Sequence, residues 1–169
     1  AESGSRLSFL LWGPPGTGKT TLARISARLT ESEFYEISAV NAGVADIRKI
    51  IEGARQAWKV KRRGAVLFID EIHRFNKAQQ DAVLPHIENG TVRLIGSTTE
   101  NPSFEVIPAL RSRCQTFRLE ALERRQIRDI LDGALQDSEK GLGESSLQIS
   151  QEAMNMIVSH ANGDARRAL

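Results

Sequence analysis

The sequence has little of what marks a secreted, metal-bound or membrane protein. One cysteine, Cys114, among 169 residues leaves no internal disulfide framework and suits a reducing compartment. The three histidines, His73, His86 and His160, are too scattered to form a zinc-ligand cluster. No apolar run approaches the roughly 18 residues of a membrane span, and the opening residues do not read as a signal peptide. There is no Pro/Gly/Ser-rich linker, no low-complexity tract and no repeat of about 20–50 residues. Charge of one sign is lacking too. The formal net charge is +2, with 13 basic and 9 acidic residues in 1–84 and 10 and 12 in 85–169. That split of +4 and −2 is too weak to argue for nucleic acid. What is present, 40% hydrophobic and 26% charged residues, supports a buried core in a soluble, intracellular globular chain. The length suits one medium domain, or one domain and part of another.

The hydrophobic pattern alternates between short apolar runs and longer helical stretches. Leu7 to Trp12 reads as a buried strand entering the loop Gly13-Pro14-Pro15-Gly16. A helix is predicted from Lys19 to Leu29, with Leu22, Ala23, Ile25 and Leu29 at helical spacing. A short strand follows over Phe34–Ser38, then an amphipathic helix over 45–58 with Ile47, Ile50, Ile51, Ala54 and Trp58 on one stripe. Ala65 to Ile69 is apolar at every position, the mark of a strand covered on both faces in a parallel sheet. Asn76–Ile87 is helical, its end signalled by Pro85 and Asn89-Gly90. Val92–Gly96 and Thr116–Leu119 are further strands. Residues 123–137 and 150–161 are helical, and no strand follows. This order predicts an α/β core over 1–120 and a helical appendix over 121–169.

Gly13-Pro-Pro-Gly-Thr-Gly-Lys-Thr20 matches G-x-x-x-x-G-K-[ST] between a predicted strand and a predicted helix, the context this motif requires. Its glycines let backbone N–H groups curl around a β-phosphate, and the helix N-terminus adds its positive dipole end. Gly13, Pro14, Pro15, Gly16, Thr17, Gly18, Lys19, Thr20 and Thr21 form the candidate nucleotide-binding set. Lys19 supplies charge to the β- and γ-phosphates, and the Thr20 hydroxyl is placed for Mg²⁺. Such a loop needs an acid at the end of a nearby strand, and Asp70 supplies it as a second metal-binding group. Glu71 beside it is positioned to orient and polarise the attacking water. A glutamate there favours ATP, since GTPases usually place a glutamine. The nearest approach to the guanine-reading Asn-Lys-x-Asp is Asn76-Lys-Ala-Gln79, which lacks the aspartate.

Ile95-Gly-Ser-Thr-Thr-Glu-Asn-Pro102 follows a core strand, and a hydroxyl there can reach the γ-phosphate; Thr99 is the first choice and Thr98 the second. Ala109-Leu-Arg-Ser-Arg-Cys114 offers an arginine finger for a neighbouring subunit's site, Arg113 before Arg111. In Gly163-Asp-Ala-Arg-Arg167, Asp164 suits a helix cap and Arg166 would point back at the γ-phosphate. The basic run Lys59-Val-Lys-Arg-Arg63 reads as a solvated loop more readily than as a phosphate contact. Trp12 and Trp58 read as packing residues rather than base-stacking platforms, and Cys114 as a packing residue beside Arg113.

Gly13–Thr20, Asp70-Glu71, the threonine strand end, Ser112-Arg113-Cys114 and Gly163-Asp-Ala-Arg166, in this order, resemble an AAA+ ATPase of the clamp-loader clade. More narrowly, Phe68-Ile-Asp-Glu-Ile-His-Arg-Phe-Asn-Lys-Ala-Gln-Gln-Asp81 and Ile95–Phe104 are similar to the replication-associated recombination protein A family. This family is also called MgsA and includes the Werner-helicase-interacting ATPase. The resemblance implies a five-stranded parallel P-loop core with part of a helical lid. It implies ATP and Mg²⁺ as cofactors, with hydrolysis coupled to work at stalled replication forks. Single-stranded or forked DNA, single-stranded DNA-binding protein and recombination proteins are the implied partners. It further implies a homo-oligomer, a tetramer, built through a C-terminal domain, and a cytoplasmic, nucleoid-associated setting in a bacterium. Ser38 falls where related ATPases hold a polar residue that gates the catalytic glutamate. Family members begin upstream of this chain and continue beyond it, so an excised ATPase core is expected. A clamp-loader subunit, a Holliday-junction branch-migration motor and a slowly hydrolysing recruitment module are the competing readings.

Overall fold

A computed structural model describes residues 7–145 and 147–169; the first six residues of the predicted core range lie outside them. Five strands form one parallel sheet: β1 (Ser8–Trp12), β2 (Glu33–Ser38), β3 (Ala65–Asp70), β4 (Arg93–Thr98) and β5 (Cys114–Arg118), in the order β2-β3-β4-β1-β5. The central strand β3 is apolar at every position but its last, Asp70. Val66, Leu67, Phe68 and Ile69 of β3 are fully buried, because helices cover both faces of a parallel sheet. Truncating Phe68 to alanine there costs roughly 3–5 kcal/mol. The edge strand β5 is largely exposed.

The helices on this sheet are α1 (Lys19–Leu29), α2 (Val44–Lys61), α3 (Lys77–Glu88), and the short α4 (Pro102–Glu105) and α5 (Pro108–Arg111). The α2 helix turns Ile47, Ile51 and Ala54 into the core and ends at Arg62, which takes the left-handed conformation (φ 55°) while its N–H donates to the Trp58 carbonyl. Asn76 and Gln79 cap α3 reciprocally, each side-chain oxygen accepting the other's backbone N–H at 2.9 and 2.8 Å. Pro85 does not end this helix, which continues to Glu88. So near the C-terminus Pro85 removes one donor without breaking the helix, and the chain turns at Gly90 (φ 72°).

Of the expected stripe on α1 only Ala23 turns inward. Ala23 and Ala27 are buried, whereas Leu22, Ile25 and Leu29 are exposed. Small side chains let the helix lie close over the strands, and the larger ones are left on its outer face.

The chain divides into two compact units. The first is the sheet with α1–α5. The second comprises Pro14–Gly18 and residues from Leu119 onward, with α6 (Arg124–Gln136), α7 (Gln151–Ala161) and α8 (Ala165–Ala168). Ile127, Leu131, Met154, Val158 and Ala161 form its core. Among the described residues no helix is long and apolar enough to cross a membrane.

Candidate active site

In a parallel sheet all strands end on the same side, so the residues after β1, β3 and β4 converge there. Gly13 follows β1, and its N–H donates to the Thr98 carbonyl at the end of β4, 3.2 Å away. Lys19 opens α1. Its side chain is 9% exposed, and Nζ donates to the Gly13 carbonyl at 2.8 Å. A nearly buried ammonium on a loop of backbone amides suits a phosphate. Thr20 and Thr21 follow in the first turn of α1.

Asp70 closes β3, and its Oδ1 accepts a hydrogen bond from the Ser97 hydroxyl on β4. Sequence reasoning passed over Ser97; its one signal was a small polar residue inside a buried strand. The hydrogen bond fixes the carboxylate's orientation, as partners of metal-binding groups do. Ser38 lies opposite Asp70 in the β2–β3 register.

Glu71 adopts the left-handed conformation (φ 54°, ψ 47°) at the start of a 3₁₀ turn, Ile72–Arg74, at a cost of roughly 1–3 kcal/mol. Its Oε2 is buried and, among the described residues, accepts no hydrogen bond. His73 Nδ1 lies 3.2 Å from that oxygen and 2.9 Å from Thr98 Oγ1. The histidine therefore ties the glutamate's turn to the end of β4, a role the sequence did not show. Thr98 Oγ1 also accepts the Glu100 N–H at 2.9 Å. Thr98 is thus buried and engaged, while Thr99 is exposed just beyond the strand. A glutamate with an unsatisfied carboxylate oxygen beside an aspartate held by a hydroxyl is a donor set that fits a Mg²⁺–nucleotide and its attacking water.

Arg113 is not brought to this edge. It precedes Cys114, which pairs with Ser8 at the start of β1, so it lies at the opposite end of the sheet. There it forms an ion pair with Glu88 at 2.5 Å and donates to the Ala109 carbonyl at 2.7 Å. Arg111 donates to the Ser103 carbonyl. Burial pushes the neighbouring Cys114 thiol up to about 12, leaving it protonated and unreactive.

Within the second unit, Thr17 Oγ1 donates to the Pro14 carbonyl at 3.0 Å, and the Ala165 N–H donates to the Gly16 carbonyl at 3.1 Å. Gly16 has φ 70°, and a Cβ there would stand 1.7 Å from Asp164 Oδ1, so both conformation and space require glycine. Asp164 caps α8 by accepting the Arg166 N–H at 2.9 Å. The exposed Arg166 side chain has Nε 3.6 Å from Asp164 Oδ1.

Residues 9–121, well over half of the chain, match the family described as ATPase family associated with various cellular activities. The chain belongs to this AAA family. It is therefore an ATPase by family, with an α/β P-loop fold. It is 51% identical over 168 residues to replication-associated recombination protein A of Escherichia coli (strain K12), covering 99% of this chain and 37% of that protein. It is 44% identical over 162 residues to ATPase WRNIP1 of Dictyostelium discoideum, covering 96% of this chain and 18% of that one. The chain thus spans little more than a third of the length of the bacterial relatives it matches. Among solved structures, a point mutant of Thermotoga maritima RuvB aligns with TM-score 0.75 at 29% identity, over 98% of this chain and 53% of that one. The Thermotoga maritima RuvB Holliday junction branch migration motor aligns with TM-score 0.73 at 32% identity, over 95% and 51%.

Proposed function

We propose that this chain is the ATPase core of a protein that couples Mg²⁺-dependent ATP hydrolysis to work on DNA at stalled replication forks. The observation that carries the chemistry is the carboxyl edge of the sheet. There the buried Lys19, Asp70 held by Ser97 and Glu71, whose buried Oε2 accepts no hydrogen bond among the described residues, stand at neighbouring strand ends. Thr20 and Asp70 would hold the metal, which neutralises charge on the phosphates when bound. Glu71 accepts a proton from, and orients, the attacking water. Thr99 contacts the γ-phosphate. Arg166 acts from the helical unit, and Arg113 from a neighbouring copy. Support for the DNA-associated role comes from the similarity to replication-associated recombination protein A and WRNIP1. On the same resemblance, the full-length protein assembles as a tetramer and works with single-stranded DNA-binding protein and recombination proteins in the cytoplasm.

The test is steady-state turnover of the full-length protein with and without forked DNA. Forks should stimulate hydrolysis, and Glu71→Gln should lower turnover by about 10²–10⁴ while ATP binding survives. Unchanged turnover in that variant rejects the role of Glu71. A branch-migration motor is the second reading, favoured by the TM-scores of 0.73 and 0.75 to RuvB chains. It predicts stimulation by four-way junctions above forks.

A further inference from the structure

A concavity of about 290 Å³ lies in the first unit, with Arg55, Trp58, Lys59 and Arg63 on one side and Asn89 and Thr91 on the other. Gly64, also in its wall, immediately precedes β3, and Thr91 stands two residues before β4. The concavity therefore sits at the amino ends of these strands, away from Lys19, Asp70 and Glu71. Its chemistry is one-sided. Three cations line it and, among the described residues, no carboxylate does. Trp58, expected as a packing residue, is 42% exposed.

Ordinary structural needs account for only part of this charge. Lys59 and Lys61 fall in the last turn of α2, where the helix dipole favours cations. Lys61 also pairs with Glu33 at 2.8 Å. Arg55 lies well before that turn, and Arg63 lies beyond the helix. The acid near Arg63 is Glu33, 4.0 Å away, whose carboxylate already accepts the Lys61 hydrogen bond. Arg62, beside Arg63 in sequence, is a further exposed cation at the end of α2.

We propose that this concavity binds a segment of single-stranded nucleic acid, one unstacked base lying against the Trp58 indole while Arg55, Lys59 and Arg63 engage the flanking phosphates. A half-exposed indole offers a π-face that any base can use, and neighbouring cations track the backbone. The volume is at the small end for a ligand pocket, which suits one base and not a duplex. Three lining cations, with the exposed Arg62 next to Arg63, are more than one phosphate needs and favour a strand over a free nucleotide. The inference goes beyond the proposed ATPase reading: it names a second site and takes only the association with DNA from that reading.

The experiment measures binding of a labelled oligo-dT strand to the full-length protein by fluorescence anisotropy, without nucleotide, across a salt series. The Arg55→Ala/Arg63→Ala double variant should weaken binding about tenfold or more. It should also reduce the slope of log K against log salt by about 1.4, since each lost phosphate contact on a single strand contributes about 0.7. Trp58→Ala should weaken binding about 5- to 100-fold with the slope unchanged, and Trp58→Phe should restore most of it. Arg55, Trp58 and Arg63 are all exposed, and circular dichroism confirms folding. If the wild type binds and both Ala variants bind within twofold of it, the site is wrong while the DNA-associated function stands. If the wild type binds no strand, both fall. If dTMP displaces the strand at equal concentration, the concavity is a mononucleotide site and the strand proposal is overturned.

Discussion

The two ends of the sheet are built on opposite plans. At the carboxyl ends of β3 and β4 the polar groups are drawn inward and fixed: Ser97 on Asp70, and His73 between Glu71 and Thr98. At the amino ends Arg55, Lys59 and Arg63 stand exposed around a shallow wall, and the buried Nδ1 of His86 has no hydrogen-bond partner among the described residues. The difference follows from what each end must do. Phosphoryl transfer is stabilised by charges and dipoles set in advance, so their positions are fixed by burial and bonding. Holding a flexible polyanion needs charge and a π-face in reach, which exposed side chains provide without a fixed geometry.

Arg113 tests this division most severely, because it lies at the amino end yet is assigned to hydrolysis. Arg113→Ala should reduce turnover of the assembled protein by about 10³–10⁵ without loss of ATP binding. Mixing it with Glu71→Gln should recover activity, since each protomer then supplies what its neighbour lacks. Failure of the mixture to recover would confine Arg113 to its ion pair with Glu88. At the carboxyl end, Ser97→Ala should weaken Mg²⁺ affinity of the ATP complex about 10- to 100-fold, read from the Mg²⁺ dependence of turnover. An unchanged dependence shows that Asp70 needs no orienting partner.

Much of this plan was legible in the residues. The phosphate loop declares itself by spacing, and β3 by an unbroken apolar run, because both depend on local chain chemistry. What escaped depends on contacts far apart in sequence. Ser97 meets Asp70 across two strands, and His73 reaches Thr98 across 25 positions; neither has a local signature. Gln80 is buried with its amide bonded to Phe75, Glu105 and Ile107 backbone groups, although glutamine at a helix surface spacing reads as solvated. Trp58 misled in the other direction. It keeps helical phase with the buried Ile51 and Ala54, yet near the end of α2 it is itself 42% exposed.

His73 sharpens the comparison within the fixed end. Its two short contacts, 2.9 Å to Thr98 Oγ1 and 3.2 Å to Glu71 Oε2, make it a positioning residue for the glutamate. His73→Ala should lower kcat about tenfold with KM for ATP little changed, because misplacement of the acid costs rate rather than ground-state binding. His73→Asn keeps a donor near the Nδ1 position and should restore most of the loss. Equal kcat in the wild type and both variants removes the role.

The smallest expected effect lies at the open end and is read in stability. Burial first, and the charge of Arg55 second, hold the His86 imidazole below its ordinary value of 6.5. The folded chain thus keeps this ring neutral where the unfolded chain protonates it. As pH falls below about 6.5 the unfolded state binds more protons, so stability declines with falling pH and levels off only below the folded value. Urea midpoints measured between pH 7.5 and 5.5 should show this decline in the wild type. It should vanish in His86→Gln and shrink only partly in Arg55→Ala, because burial outweighs the arginine's charge. If Arg55→Ala removes the decline completely, the ranking of the two causes is reversed, and Arg55 is held against α3 more closely than an open, strand-binding side chain should be.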